Sequence, residues 1–111
     1  MDLITRIQNL IAEEQQYING LKNWGIKKAT AEKEYQTVLS QETLKERDKG
    51  TAIGIINLII KGKKEVAEKR MERDIAEVMY QVSQEKINVA KLEMRLLDNQ
   101  VQREWHQTEA L

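Results

Sequence analysis

The sequence predicts an all-α fold: an elongated, antiparallel, coiled-coil-like helical hairpin with a short apolar helical connector. Three observations support this prediction. Pro is absent and only 5 of the 111 residues are Gly, so few residues interrupt a helix. Apolar residues recur at intervals of three, four and seven in both halves of the chain, as they do along one side of a helix. The clearest turn signal, residues 48–51, lies between the two halves.

The first half predicts a long helix over about residues 2–47, with Asp2 as its N-cap. Gly20 and Gly25 interrupt the pattern, and an interior Gly costs about 1 kcal/mol relative to Ala. Either one helix runs to about Arg47, or two helices join near Gly20–Gly25. The apolar stripe that this half should bury consists of Leu3, Ile4, Ile7, Leu10, Ile11, Ile18, Leu21, Ala31, Tyr35, Val38 and Leu39.

The connector is predicted at residues 50–62. Gly50 follows a charged helix end and suits a left-handed C-cap, after which Thr51 is expected to cap a new helix. The Ile-rich stretch 53–60 would also suit a strand, and its periodicity alone does not decide. Because no partner strand is evident, we expect a short helix that closes the end of the hairpin. The stretch is far shorter than the ~20 residues of a membrane span, so we expect no membrane partner.

The second half predicts a helix over about residues 63–107, on the order of 65 Å long. Its expected buried stripe consists of Val66, Met71, Ile75, Val78, Met79, Val82, Ile87, Val89, Ala90, Met94, Leu97, Val101 and Trp105. In a pair of helices, each helix buries only one side against the other, which is little buried apolar surface for a stable fold. The wide stripes therefore predict a single domain over residues 1–111 that self-associates as a dimeric bundle.

Charge is balanced over the chain and uneven along it. The 18 basic and 18 acidic residues argue against a surface that is basic overall, as in many nucleic-acid-binding proteins. Residues 45–74 nevertheless contain nine Lys or Arg against six Asp or Glu. The basic cluster in this region could contact phosphates or an acidic partner, or could only solvate a helix start. It consists of Lys61, Lys63, Lys64, Lys69, Arg70 and Arg73.

The residues that usually carry chemistry are few. His106 is the one histidine, and with no cysteine in the chain it has no companion for a metal site. Ser40 and Ser83 have no histidine within helical reach, so a nucleophilic triad has no base. The glycines around the connector lack the spacing of a phosphate-binding loop. We therefore predict no enzyme, no catalytic residue, no metal and no cofactor.

Four large side chains are candidate interface anchors. Trp24 and Trp105 are aromatic residues on the two predicted long helices, where such residues more often anchor a core or an interface than bind a ligand. Ile56 and Ile59 belong to the apolar connector, which we expect to cover the ends of a dimeric bundle.

Residues 61–77 contain a sequence pattern that resembles a known group of proteins. It reads KGKKEVAEKRMERDIAE: a KG pair, then VAE, then R-x-x-R-D-I-A-E, with Tyr80 three residues later. This pattern resembles a group of small helical proteins carried by phages and prophages of Gram-positive bacteria, whose genes lie in the early replication and recombination region. The resemblance covers about half of the chain and implies a phage context. It assigns no catalytic residue.

The sequence therefore favours a non-enzymatic phage or prophage accessory protein that acts by protein–protein interaction, with replication or recombination proteins or with host factors. Two alternatives stay open: weak nucleic-acid binding through the basic cluster, and a structural or assembly-scaffold role. The absence of cysteine, and an N-terminus unlike a signal peptide, predict the bacterial cytoplasm as the location.

Overall fold

The structure of the protein is a computed structural model, which describes the backbone of residues 2–110 and the side chains of residues 2–107. This part of the chain forms three helices: α1 (Leu3–Asp48), α2 (Ile53–Lys61) and α3 (Lys64–Ala110). Residues 2–110 contain no strand. The prediction of an all-α fold is confirmed, and the Ile-rich connector is helical.

Helix α1 is 46 residues long and runs through Gly20 and Gly25 without a break. Asp2 caps its first turn as predicted, since its Oδ1 accepts a hydrogen bond of 2.7 Å from the backbone N–H of Thr5. That bond favours the charged carboxylate and lowers the pKa of Asp2. The open choice between one helix and two is therefore resolved in favour of one.

The C-terminus of α1 ends in a Schellman motif. Gly50 has a φ of +80°, the left-handed conformation that only Gly adopts without strain. The N–H of Gly50 donates to the carbonyl of Arg47 at 3.0 Å, and the N–H of Thr51 donates to the carbonyl of Glu46 at 3.1 Å. These two bonds satisfy carbonyls that the helix end would otherwise leave without partners.

The predicted cap at Thr51 is wrong. Ala52 occupies the N-cap position of α2 and makes no side-chain hydrogen bond there. The hydroxyl of Thr51 instead donates to Glu46 Oε2 at 2.8 Å, so it is already used at the end of α1. Nine-residue α2 then ends at Gly62, whose N–H donates to the carbonyl of Ile59 at 3.2 Å. The N–H of Lys63 donates to the carbonyl of Ile60 at 3.1 Å.

The chain forms two compact units, and residues 23–80 are unit 2. Its core consists of Tyr35, Ile56, Ile60 and Val66, with Val38 and Leu39 packed against it. Side chains from α1, α2 and α3 thus meet in one cluster. Within this unit α1 and α3 run antiparallel, as the ion pairs Glu42–Lys63, Glu34–Lys69 and Glu32–Arg73 require.

Unit 1 consists of residues 2–22 and 81–110 of the described chain. Its core is Leu10 of α1 against Ala90 and Leu97 of α3, with Leu3, Ile7, Tyr17 and Met94 around it. The intervals of three, four and seven between these residues are those of a coiled coil. Here too the helices are antiparallel, because Lys86 lies over the ring of Tyr17 while Leu97 packs near the start of α1.

The predicted stripe of α3 is correct at some positions and wrong at others. In unit 2, Val66 and Ala76 are buried, whereas Met71, Ile75 and Val78 are exposed. In unit 1, Ile87, Ala90 and Leu97 are buried, whereas Val82 and Val89 are exposed. The sequence pattern had merged two stripes, of which only one packs against α1. On α1, Ile4, Ile11 and Ile18 of the predicted stripe are likewise exposed.

Candidate interaction surface

Lys63, a member of the basic cluster, is engaged inside unit 2. Its Nζ lies 2.8 Å from Oε2 of Glu42 and 2.7 Å from Oε1 of Glu46. Both carboxylates belong to buried residues of α1, and the Lys63 side chain is only 19% exposed. A buried ion pair needs such complete bonding, because removing charges from water is costly. Lys63 therefore links the end of α1 to the start of α3.

The electrostatics of this group follow from the same bonds. Hydrogen bonds from Lys63 and Thr51 lower the pKa of Glu46 to about 2. Those from Lys63 and Lys45 lower the pKa of Glu42, and the two carboxylates raise the pKa of Lys63. All three groups are thus charged at neutral pH, and they stabilise one another in that form.

Lys69 and Arg73 also face carboxylates of α1. Lys69 Nζ lies 3.2 Å from Glu34 Oε2 and 3.3 Å from Glu72 Oε2. The guanidinium of Arg73 lies 4.3 Å from the centre of the Tyr35 ring, a cation–π contact. Arg73 also pairs with Asp74 at 3.0 Å and with Glu32 at 3.8 Å. These two cations therefore hold α1 and α3 together.

The other three cations of the basic cluster differ from these. Arg70 Nη2 donates to the backbone carbonyl of Lys61 at 3.3 Å, which joins α3 to the end of α2. Lys64 is largely exposed and lies 3.9 Å from Glu68, at the limit of an ion pair. Lys61 is exposed at the end of α2. The basic cluster is thus divided between internal ion pairs and solvent.

The four candidate anchors lie in different environments. Ile56 is buried in the core of unit 2, so it stabilises the chain's own fold. Ile59, on the same helix, is partly exposed, and Trp105 of α3 is largely exposed. Trp24 is half-buried, and Lys27 Nζ lies 4.3 Å from the centre of its ring. Trp24 borders an open groove of unit 2 that also contacts Ile75.

The residues that the sequence prediction missed are exposed aliphatic ones. Met71, Ile75 and Val78 are 60%, 50% and 55% exposed on α3 of unit 2, and they follow one another at intervals of four and three. In unit 1, α3 exposes Val82, Val89, Leu92 and Leu96 in the same way. The signal in the sequence is the presence of apolar residues at two positions per turn. The single wide stripe predicted from it counts Met71, Ile75, Val78, Val82 and Val89 as buried and leaves out Leu92 and Leu96.

Among the described residues, no three His, Cys, Asp or Glu side chains are grouped so that they could hold a metal ion. None of the helices in the described part of the chain combines the length and the apolar character that crossing a membrane requires.

Comparison of the chain with protein-family models, with curated proteins and with solved structures gave no match. The candidate surface is therefore defined by the geometry and charge of the chain itself.

Proposed function

We propose that this protein is non-enzymatic and acts by binding other proteins through the apolar surface of its helices. The observation that carries the proposal is the row of aliphatic side chains that α3 leaves exposed. Val82, Val89, Leu92 and Leu96 form that row in unit 1. Folded monomers rarely expose large contiguous apolar areas, and such areas commonly mark interaction sites.

The spacing of the exposed residues favours a helical partner. Residues 82, 89 and 96 are seven apart, and residue 92 lies three after residue 89, so all four project from one side of α3. An amphipathic helix with its own apolar stripe would bury this row by the same knobs-into-holes packing that joins helices in a coiled coil. A partner of this kind needs no catalytic residue in the chain.

The biological setting in the proposal comes from the resemblance of residues 61–77 to phage and prophage proteins. On that basis the partner is a protein of DNA replication or recombination, or a host factor, encountered in the bacterial cytoplasm. Self-association is part of the same proposal, because a dimeric bundle would cover further apolar surface.

The ion pairs favour a protein partner over nucleic acid. Lys63, Lys69 and Arg73 already bind carboxylates of α1, so a phosphate would have to displace these partners. Direct nucleic-acid binding would then depend mainly on Lys61 and Lys64 and would weaken steeply with salt.

The test is affinity capture from phage-infected Gram-positive cells with three tagged forms: the unmodified chain, Val89→Glu, and the control Lys91→Glu on the exposed side of the same helix. We expect a replication, recombination or host protein that the unmodified chain and Lys91→Glu retain and that Val89→Glu loses. Recovery of capsid or tail proteins alone would favour the scaffold role. Retardation of DNA at low salt by the purified chain would favour the nucleic-acid role.

A further inference from the structure

Unit 2 has an apolar face made of Trp24 and Ile26 from α1 and Met71, Ile75 and Val78 from α3. Two open grooves meet there, because Ile75 borders both of them. Ile26 is exposed, as are the three residues of α3, and Trp24 is half-buried. These five side chains lie outside the core cluster of unit 2, which packs around Tyr35 and Val66. The unit therefore leaves much of this apolar face exposed.

The shape of this face suits a further helix. Ala31 and Ala76, both buried, line this groove together with Trp24 and Ile75. Small residues at a helix–helix contact leave a furrow between the larger side chains beside them. Ridges of one helix pack into such furrows of its neighbours.

A standard stable interface buries ~800 Å² on each partner. The 8483 Å² that the chain exposes is about 2100 Å² more than a compact monomer of 13.0 kDa exposes, so the chain as a whole has enough exposed surface for an interface of that size.

Charge favours a second copy as the occupant of this particular face. Its border carries both signs, with Lys27 and Arg70 as cations and Glu34, Glu72 and Asp74 as anions. Within the chain the three carboxylates already pair with Lys69 and Arg73, so the border is close to neutral. A two-fold contact turns one face onto itself, and a neutral border brings no uncompensated like charges together. The chain's net charge of zero adds no overall repulsion between copies.

Unit 2 also exposes Ile53 and Leu58 of α2. This second patch lies on one helix of nine residues, so two copies that met through it would bury less apolar surface than through the face shared by α1 and α3.

We infer that the apolar face of unit 2 binds the same face of a second chain, so that α1 and α3 of the two copies form a two-fold-symmetric four-helix bundle. This inference rests on the proposed function, because it names a second copy as the partner of one exposed surface. It leaves the exposed row of unit 1 to a different protein.

The first experiment measures mass by light scattering at micromolar concentration. We expect a dimer for the unmodified chain and a monomer for Ile75→Glu, since the dimer would bury a carboxylate among apolar side chains. Leu58→Glu, a comparable change at an exposed position of α2, should stay dimeric. Circular dichroism of each variant verifies that the helices are intact. A monomeric unmodified chain, or an Ile75→Glu variant that stays dimeric, would overturn the inference.

Cysteine cross-linking tests the same contact without weakening it. The chain contains no cysteine, so each substitution introduces a unique thiol. Disulfides form when the two Cα atoms lie within about 7 Å, which near a two-fold axis occurs between identical positions. We expect a covalent dimer on oxidation from at least one of Met71→Cys, Ile75→Cys and Val78→Cys, and none from Ile53→Cys. Cross-linking through Ile53→Cys alone would contradict the inference.

These outcomes are separable from those of the capture experiment. If Val89→Glu loses its captured protein while the unmodified chain is a monomer, the binding of another protein through unit 1 stands, and self-association and this inference both fail. If the dimer forms through unit 2 and no other protein is retained, the inference stands and a separate protein partner is excluded.

Discussion

Lys63, in the turn before α3, forms an ion pair with Glu46 of α1, with Nζ 2.7 Å from Oε1 and side chains only 19% and 7% exposed. Glu42 binds the same ammonium, so one cation serves two carboxylates. Surface ion pairs contribute little to stability, but partial burial strengthens the electrostatic interaction and makes the loss of either partner costly.

Acid should destabilise the protein through Glu46. Its pKa is about 2 in the folded chain, against an ordinary value of 4.5. A lowered folded-state pKa contributes stability that is complete above pH 4.5 and is lost as the pH falls towards 2. We expect the melting temperature, followed by circular dichroism, to fall over that range. Glu46→Gln should have a lower melting temperature at neutral pH and a flatter acid profile, and an unchanged profile would contradict the assignment.

Replacing Lys63 should destabilise far more than replacing Lys45. Lys63→Met leaves Glu42 and Glu46 buried without their shared cation, whereas Lys45 binds Glu42 from a side chain that is 65% exposed. We expect a clear drop in urea midpoint for Lys63→Met and little change for Lys45→Met. Adding Glu42→Gln and Glu46→Gln to Lys63→Met should recover part of the loss. No recovery would mean that Lys63 acts through packing of its aliphatic stem.

Replacing isoleucine with alanine should have different effects on stability at the two ends of α2. Ile60 is 1% exposed in the core of unit 2, and Ile53 on the same helix is 84% exposed. Ile60→Ala should lower the free energy of unfolding by about 2–5 kcal/mol, because it removes buried methyl groups and leaves a cavity. Ile53→Ala should change it by less than about 0.5 kcal/mol. Denaturant titration measures both, and equal effects would contradict the packing of α2.

Replacing glycine with alanine should change the free energy of unfolding in opposite directions at Gly50 and Gly20. Gly50→Ala should destabilise by about 1–2 kcal/mol, because Gly50 has a φ of +80°. Gly20 lies inside α1 with open space where a Cβ would stand, so Gly20→Ala should stabilise by roughly 0.5–1 kcal/mol. The same titration measures the pair. A stabilising Gly50→Ala would exclude the left-handed turn.

The helices were predictable because their signals are local. The absence of Pro and the intervals between apolar residues predict the long helices, and Gly50 marks the end of α1. Whether α1 continues through Gly25 was not predictable, since an interior Gly costs only about 1 kcal/mol and packing can outweigh it. The packing there comes from Tyr80, whose Cε2 lies 3.4 Å from where a Cβ on Gly25 would stand.

Which apolar residues are buried could not be read from their size. Ala76 lies in the core, while its larger neighbour Ile75 is half exposed. Two helices that approach closely need small residues at the contact, and a larger side chain beside them is turned outwards. Sequence periodicity locates both stripes but does not say which one faces α1.

The distinct role of Lys63 could not be predicted from the sequence for a different reason. In the sequence it is one of three lysines in the run 61–64, and nothing local separates it from Lys61 and Lys64. The difference arises from the turn at Gly50 and the length of α2, which together bring residue 63 opposite Glu42 and Glu46. A contact over 21 residues of chain depends on the tertiary fold.

The buried carboxylates of Glu42 and Glu46 fix the relative positions of α1 and α3 in unit 2. If α3 slid along α1 by one helical turn, about 5.4 Å, Val66 or Ala67 would take the place of Lys63. Two desolvated negative charges would then face a methyl group. Apolar packing alone tolerates such a shift between helices, whereas this ion pair fixes which residues of α1 and α3 face each other in unit 2.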